Sequence, residues 1–169
     1  IKNAEGAALM TETSFDIELL SACHEYIRNH KLGQLMQKNL VKVGPPKFTE
    51  EEEKFAEELS VSISKSTKEK ILVSSNSPVE LINKNLHEGI LENYGLGMIR
   101  HGSADTADIS YQTPLAQLQT ASRPLGVPGH SWQTTAASGM SIGHKGMLCA
   151  AKVIALTALD LITNPELLK

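Results

Sequence analysis

The chain has 169 residues, a net charge of −3, 41% hydrophobic residues and only 4% aromatic residues. These values predict one ordinary globular domain with an aliphatic core. They argue against a DNA- or RNA-binding surface, because the chain has neither a basic excess nor many rings on which bases could stack.

Two cysteines, Cys23 and Cys149, are too few for a disulfide framework and are not spaced like a metal knuckle. We expect reduced thiols in a reducing compartment, which predicts a cytoplasmic protein. No membrane partner is expected, because polar residues interrupt the longest apolar run, Met147 to Ile162. No signal peptide opens the chain, and its first residues are typical of the middle of a protein.

The first elements are predicted as helix, strand and helix. Residues Ala4 to Met10 are expected to form the end of a helix. Thr13 to Ala22 alternates apolar and polar side chains, which indicates a half-buried strand in an antiparallel sheet. Asn29 to Val43 has apolar residues at helical spacing and a capping residue, Asn29, at its start.

Another helix is predicted to begin at Thr49, because Thr49 followed by Glu52 fits a capping box. Its acidic first turn favours a solvated helix start over an acidic metal or protein site. Ser60 to Ser77 is polar and rich in serine, which predicts a loop with a short strand at Lys70 to Val73. Pro78 to Leu91 has apolar residues at helical spacing and is predicted as a helix.

The last third is predicted as a strand at Leu115 to Ala121, a turn-rich loop around residues 126–133 and a final helix from Ser141 to Ile162. That helix is expected to be buried on most sides and packed against a sheet. Three of its polar residues lie on one narrow stripe, namely Lys145, Lys152 and Asp160. The predicted fold class is therefore α/β.

His130 is the first candidate for chemistry, since it lies in the turn-rich loop after Gly129. Such a loop can direct an imidazole into a cleft, and imidazole binds Zn, Mn, Ni or Co through a neutral ring nitrogen. The alternative is a surface side chain without a role.

His144 is the second candidate, in the first turn of the final helix between Gly143 and Gly146. These glycines allow a close approach of the backbone to a neighbour. Because the positive end of the helix dipole disfavours imidazolium, a neutral His144 could bind metal, donate to a carboxylate or polarise a carbonyl. The alternative is a packed histidine with a hydrogen bond near the helix start.

Asp105 and Asp108 lie one helical turn apart and could bridge metals, act as a base or orient a ligand histidine. Their alternative role is turn formation after Gly102. The other histidines are isolated in the sequence and are assigned no role, namely His24, His30, His87 and His101.

Three segments taken together resemble one enzyme family. They are GSADTADIS from Gly102, PGHSWQ from Pro128, and IGHKGM from Ile142 with a following Ala-Ala-Lys. They look like the aminobenzoyl-glutamate utilisation protein B family, amidohydrolases of the zinc aminoacylase/carboxypeptidase superfamily. The start, EGAALMT from Glu5, is similar to the end of the lid domain in that family.

The resemblance implies a two-domain subunit, a catalytic α/β domain interrupted by an α+β lid that mediates dimerisation. Residues 1–28 would be the last helix and strand of the lid, and residues 29–169 the C-terminal part of the catalytic domain. It also implies two divalent ions, Zn or Mn, in the intact enzyme. His130 matches the last metal ligand, while His144 and Asp105 match residues near the cleft with supporting catalytic roles.

The implied activity is metal-dependent hydrolysis of an amide bond in an N-acyl amino acid or dipeptide-like small molecule. The other ligands and the general-base glutamate are expected upstream of Ile1. A single imidazole cannot hold zinc in a four-coordinate site, so we expect this chain alone to be inactive. Two alternatives stay open, a non-catalytic partner subunit and a small-molecule binding module, and a homodimer or paired subunit is expected.

Overall fold

The structure is a computed structural model and describes residues 1–92, 97–99, 102 and 104–168. Packing divides the chain into two compact units. The small unit is Ile1–Ile27 with Gly102–Thr113, and the large unit is Arg28–His101 with Pro114–Lys169. The boundary between lid and catalytic sections, expected after residue 28, stays a prediction.

The small unit contains helix α1, Lys2–Thr11, and the short helix α5, Thr106–Ile109. Helix α1 confirms the helix predicted from Ala4 to Met10. Between them in sequence, residues 13–27 are extended or irregular and form no ladder of hydrogen bonds. Two backbone N–H groups of this segment donate to the α5 region, from His24 to Asp108 Oδ1 (3.0 Å) and from Ile27 to Ser110 Oγ (2.9 Å).

The large unit is helical, with α2 at His30–Val43, α3 at Glu50–Ser60, α4 at Lys65–Ser74, α6 at Trp132–Ser138 and α7 at Ser141–Thr163. Two short 3₁₀ helices span Val79–Asn83 and Pro165–Leu168. Helix α7 is the centre of the packing, because α2 lies along it and α6 packs against its start. Helix α6 also contacts α3.

Two apolar clusters hold these helices together. Leu40 of α2 packs with Cys149 and Val153 of α7. Ala56 of α3 packs with Leu86 and Ile142, all of them almost completely removed from water. Both clusters are aliphatic at their centres, as the low aromatic content predicts.

A polar contact joins the far end of α7 to α2. The buried Asn39 amide donates to Thr157 Oγ1 (3.2 Å) and to Asp160 Oδ2 (2.8 Å). Lys42 of α2 also approaches Asp160 at 3.8 Å. These bonds compensate the burial of the Asn39 NH2 group, whereas its Oδ1 atom is buried without a hydrogen-bond partner among the described residues.

The predicted α/β class is wrong, because the described residues form helices and no strand. Lys70–Val73 lies inside α4, and residues 115–121 are irregular. In Thr13–Ala22 the side expected to be buried is exposed, with Leu19 at 81%. A strand requires a second segment to pair with its N–H and C=O groups, and the described chain supplies none.

Local capping signals were more reliable than the strand patterns. Asn29 caps α2 by accepting from Leu32 N (2.9 Å), and the capping box of Thr49 and Glu52 is formed, so both predictions are confirmed. The loop predicted over Ser60–Ser77 is wrong, because Ser64 acts as the N-cap of α4. Serine is unfavourable inside a helix but favourable as an N-cap, so the position of Ser64 matters more than the serine content of the segment.

The helix predicted over Pro78–Leu91 is also wrong, since only Val79–Asn83 is helical and of the 3₁₀ type. Its apolar spacing reflects an irregular segment that buries Leu81 and Leu86 without forming an α-helix. The spacing of apolar residues in a short segment does not distinguish an α-helix from an irregular segment with buried side chains.

Helix α7 confirms the predicted final helix but not its surroundings. It has no sheet to pack on within the described chain, and its outward side exposes large apolar residues, namely Met147, Leu148, Ile154, Leu159 and Ile162. Two residues of the predicted polar stripe point into the protein instead, where they bond to α3 and α2. By length and composition alone α7 is also apolar enough to cross a membrane, which the sequence analysis did not expect.

Glycine at position 146 is required by a close crossing. A Cβ there would lie 2.6 Å from the Ala121 carbonyl oxygen and 2.7 Å from Ser122 Cβ, and the Thr120 hydroxyl donates to the Gly146 carbonyl (2.9 Å). The close approach expected of this glycine is therefore confirmed.

We predict that Gly146→Ala lowers the free energy of unfolding by about 1–3 kcal/mol, because overpacking outweighs the better helix propensity of alanine. Gly33→Ala in α2 is the matched control, since nothing lies within 4 Å of a Cβ there. It should stabilise the protein by about 0.5–1 kcal/mol. Thermal denaturation of both variants measures the difference, and a Gly146→Ala protein as stable as the wild type would contradict the prediction.

Candidate functional site

The loop that carries His130 is held by hydrogen bonds to a single carbonyl. The Pro128 oxygen accepts from Ser131 Oγ and from Thr134 Oγ1, both at 2.8 Å. Ser131 in turn caps α6 by accepting from Thr134 N (3.3 Å). The loop is therefore ordered by its own polar residues, and the His130 side chain is exposed on it.

His144 lies in the first turn of α7 and is also exposed. The preceding Gly143 is buried, and a Cβ on it would lie 2.6 Å from Ser138 Cα and from the Ser138 carbonyl oxygen. This confirms the close backbone approach expected of that glycine. It also fixes the end of α6 directly against the start of α7.

The structure therefore places the two candidate histidines on one piece of the large unit. His130 precedes α6 by two residues, α6 ends at Ser138, and His144 follows in the first turn of α7. We call residues 128–146 the α6–α7 corner. Both imidazoles on it face solvent, so each is available to a ligand.

Asp105 lies in the small unit and precedes α5. Its side chain is exposed and makes no cap bond to the helix, although its carbonyl accepts from Asp108 N (3.0 Å). That bond agrees with the alternative role of turn formation. A role of Asp105 beside His130 stays a prediction.

Asp108 has a different partner from the one considered in the sequence. Its Oδ1 atom accepts from the backbone N of His24 (3.0 Å) and pairs with His24 Nδ1 (2.7 Å). The backbone bond and then the side-chain bond from His24 lower the pKa of Asp108 below its ordinary value. The Tyr111 ring lies beside the imidazole, with centroids 4.9 Å apart.

His24 was therefore missed by the sequence analysis, which assigned it no role. It lies 84 positions from Asp108, and no local pattern links the two residues. His101 and Ser103, which belong to the sequence around Gly102, lie outside the described residues.

A complete metal site is not formed within the part of the chain that the structure describes. No group of three or more His, Cys, Asp or Glu side chains comes together there. Because a catalytic zinc site needs three protein ligands, His130 alone does not make one. The described residues thus provide at most a contribution to a metal centre.

An ion pair between a partly exposed lysine and a buried carboxylate joins the α6–α7 corner to α3. Lys145 Nζ donates to Glu52 Oε2 at 2.6 Å, and the Glu52 side chain is only 8% exposed. The same oxygen accepts from the backbone N of Thr49 at 2.7 Å. Sequence analysis predicted only the capping role of Glu52, because Lys145 lies 93 positions away.

The surroundings of Glu52 act on its pKa in opposite directions. Burial raises the pKa, whereas hydrogen bonds from Lys145, Ser141 and the Thr49 backbone, together with the charge of Lys145, lower it by more in total. The net result is a pKa of about 2. Glu52 is therefore a permanent anion at neutral pH.

A shallow cleft of about 360 Å³ lies beside the start of α3. Its lining is largely acidic and consists of Phe48, Thr49, Glu50, Glu53, Lys54, Glu57, Asn85 and Glu88. Burial and the nearby Glu88 raise the pKa of Glu53. Neither His130 nor His144 lines this cleft.

Comparison with known proteins gives an informative match. The chain is 31% identical, over 99% of its length, to one subunit of the p-aminobenzoyl-glutamate hydrolase of Escherichia coli strain K12. The predicted resemblance is confirmed. This chain is a relative of that hydrolase subunit.

The chain spans 37% of the length of the Escherichia coli protein. No protein-family model matches the chain. No solved structure matches it either. The relationship to a hydrolase subunit therefore comes from sequence identity, while the described fold comes from the structure alone.

The low pKa of Glu52 predicts a specific acid dependence of stability. Because the folded pKa, about 2, is below the ordinary value of 4.5, the charged carboxylate stabilises the folded state above pH 4.5. This contribution, on the order of 3 kcal/mol, should be lost as the pH falls from about 4.5 to about 2.

Urea denaturation of the wild type and of Glu52→Gln at several pH values measures this effect. The variant should be less stable at pH 7 and should lack this part of the acid dependence. Glu51→Gln, at an exposed position in the same helical turn, is the control. Parallel pH curves for the wild type and Glu52→Gln would show that Glu52 is not the titrating group.

Proposed function

We propose that the protein carrying this chain hydrolyses the amide bond of an N-acyl amino acid or a dipeptide-like compound of the aminobenzoyl-glutamate type. The observation that carries the proposal is the 31% identity over 99% of the chain to a p-aminobenzoyl-glutamate hydrolase subunit. The exposed imidazoles on the α6–α7 corner are the groups that such chemistry would use.

In this proposal the reaction depends on two divalent ions, Zn or Mn, and His130 is one of their ligands. Such ions polarise the amide carbonyl and activate water. The described residues do not fit a complete metal site, so the other ligands and the general base must come from outside them. The chain alone is therefore proposed to be inactive.

His144 and Asp105 are proposed to support the reaction. The exposed His144 imidazole lies in the first turn of α7. A neutral imidazole can donate a hydrogen bond to a substrate carbonyl or carboxylate. The Asp105 carboxylate is exposed and makes no cap bond to α5, so it can accept a hydrogen bond from another group.

A second candidate function is that of a non-catalytic partner subunit. The Escherichia coli relative is named as one subunit of its hydrolase, which supports a paired assembly. The exposed apolar side of α7 is consistent with a protein partner. We propose no membrane partner, because charged residues of α7 bond to α2 and α3.

The cytoplasm is the proposed location, since both cysteines are free thiols. The buried Cys149 thiol donates to the Gly44 carbonyl (3.4 Å), and burial raises its pKa. It therefore behaves as a packed apolar side chain. No nucleic-acid partner is proposed, given the net charge of −3.

We predict that His130→Ala in the natural protein removes about one metal equivalent and lowers kcat by at least about 100-fold, since losing a ligand exceeds an outer-shell effect. Metal analysis and hydrolysis of aminobenzoyl-glutamate measure both. His30→Ala, an exposed histidine at the start of α2, is the matched control. If His130→Ala keeps its metal and its turnover, His130 is not a ligand, whereas a wild-type protein without metal and turnover would favour the non-catalytic subunit.

His144→Ala should give a different result. We expect kcat to fall by about 10²–10⁴, the range of acid–base and hydrogen-bonding groups, while the metal content stays unchanged. A parallel loss of metal and rate would instead make His144 a ligand. The same assay and the same His30→Ala control apply.

A further inference from the structure

We propose that Glu52 is a positioning residue for the α6–α7 corner, which it holds through its ion pair with Lys145. The inference rests on the proposed function in one respect, that His144 and His130 act in the reaction. It assigns to α3 an indirect part in that reaction, through the orientation of α7.

The first step is the attachment of α7 at two points. The Glu52 carboxylate accepts from Lys145 Nζ at 2.6 Å, and Ile142 of α7 packs against Ala56 of α3. Ile142 and Lys145 are three positions apart and therefore lie on the same face of the helix. Two contacts one turn apart fix the rotation of α7 about its axis, and His144 lies between them in sequence.

The second step is the attachment of the carboxylate itself. Glu52 Oε2 accepts from Thr49 N (2.7 Å), and Thr49 Oγ1 accepts from Glu52 N (3.3 Å). The capping box thus fixes the Glu52 side chain on α3 before it contacts α7. The Lys145 ammonium also lies 5.8 Å from the centre of the Phe48 ring, a cation–π distance.

The third step is transmission from α7 to His130. Gly143 leaves no space between α7 and Ser138, so α6 must follow any rotation of the first turn of α7. His130 lies two residues before α6, on a loop bonded to Pro128. A change at Glu52 is therefore expected to move both imidazoles together.

An apolar contact alone would not give this precision. Ile142 packs with Ala56 and Leu86 under the same turn, but such contacts are non-directional. A nearly buried, charge-assisted hydrogen bond has a defined length and direction. The ion pair therefore sets the orientation of a turn that the apolar cluster only holds near α3.

The test compares Glu52→Gln with Asp160→Asn in the natural protein, loaded with Co²⁺. Asp160 is the matched control because it attaches the opposite end of the same helix, through Asn39. We expect Glu52→Gln to lower kcat about ten-fold or more with less than about two-fold change in KM, and to alter the Co²⁺ absorption spectrum. Asp160→Asn should change neither, even where it lowers Tm as much.

Lys145→Met is the second variant, in case Glu52→Gln does not fold. It removes the charge but keeps a long apolar side chain near Phe48, and it should reproduce the loss of kcat. Equal losses in Asp160→Asn and Glu52→Gln would reduce Glu52 to a general stabilising residue and overturn the proposal. Wild-type kcat and spectrum in both Glu52→Gln and Lys145→Met would also overturn it.

Amide hydrogen exchange separates this inference from the proposed function. Glu52→Gln should speed exchange in the α6–α7 corner, and Asp160→Asn only near the far end of α7. If the wild-type protein binds no Co²⁺ and hydrolyses no amide, the proposed function fails, and exchange alone decides whether Glu52 orders the corner. Unchanged exchange in the corner of Glu52→Gln would overturn the positioning role under either result.

Discussion

The large unit depends on one carboxylate that several elements share. Glu52 closes the capping box of α3 and accepts from Lys145 of α7, with most of its side chain removed from water. A buried charge is favourable only when hydrogen bonds satisfy it, and here the backbone N–H of Thr49 donates to Glu52 in addition to Lys145. These bonds offset the desolvation of Glu52, and the ion pair defines how the first turn of α7 is oriented.

This carboxylate and the apolar clusters have complementary roles. Ile142 is completely buried with Ala56 and Leu86. This packing removes apolar surface from water and brings together α3, α7 and the irregular segment that contains Leu86. Packing of this kind tolerates small rotations. The hydrogen bonds of Glu52 and, at the other end of α7, those of Asn39 are directional and therefore select one rotation of the helix.

Sequence analysis predicted features that depend on neighbours within one turn. Asn29 and Thr49 signal helix starts because their side chains reach N–H groups only three positions ahead. Gly143 and Gly146 were expected to permit close approach, and both do. The location of His144 in the first turn of a long helix was likewise predictable, because it follows from the extent of one apolar segment.

The wrong strand and sheet predictions and the missed ion pairs concern partners that lie far away in sequence. Alternation in Thr13–Ala22 indicates that one side is suited to burial, but a strand forms only where another segment offers its backbone groups. The sheet expected beside α7 is wrong for a similar reason, since apolar periodicity identifies a face and not what covers it. The pairs His24–Asp108 and Glu52–Lys145 join residues 84 and 93 positions apart, and no single sequence pattern contains both members.

The relationship between identity and chemistry follows the same division. An identity of 31% over nearly the whole chain shows that this sequence and the Escherichia coli protein share an ancestor, but a reaction needs particular side chains in particular places. Within the described residues, the α6–α7 corner is where two ligand-competent imidazoles, an ordered loop and a fixed helix start coincide. One imidazole ligand cannot hold a catalytic cation, so under the proposed function the corner would form one part of a larger metal centre. For the reaction rate, precise placement of the corner would then matter more than its own affinity for metal, since small displacements of a catalytic group cost large factors in rate. The buried Glu52 carboxylate, which accepts hydrogen bonds from Thr49 and Lys145, is the kind of support that such precise placement requires.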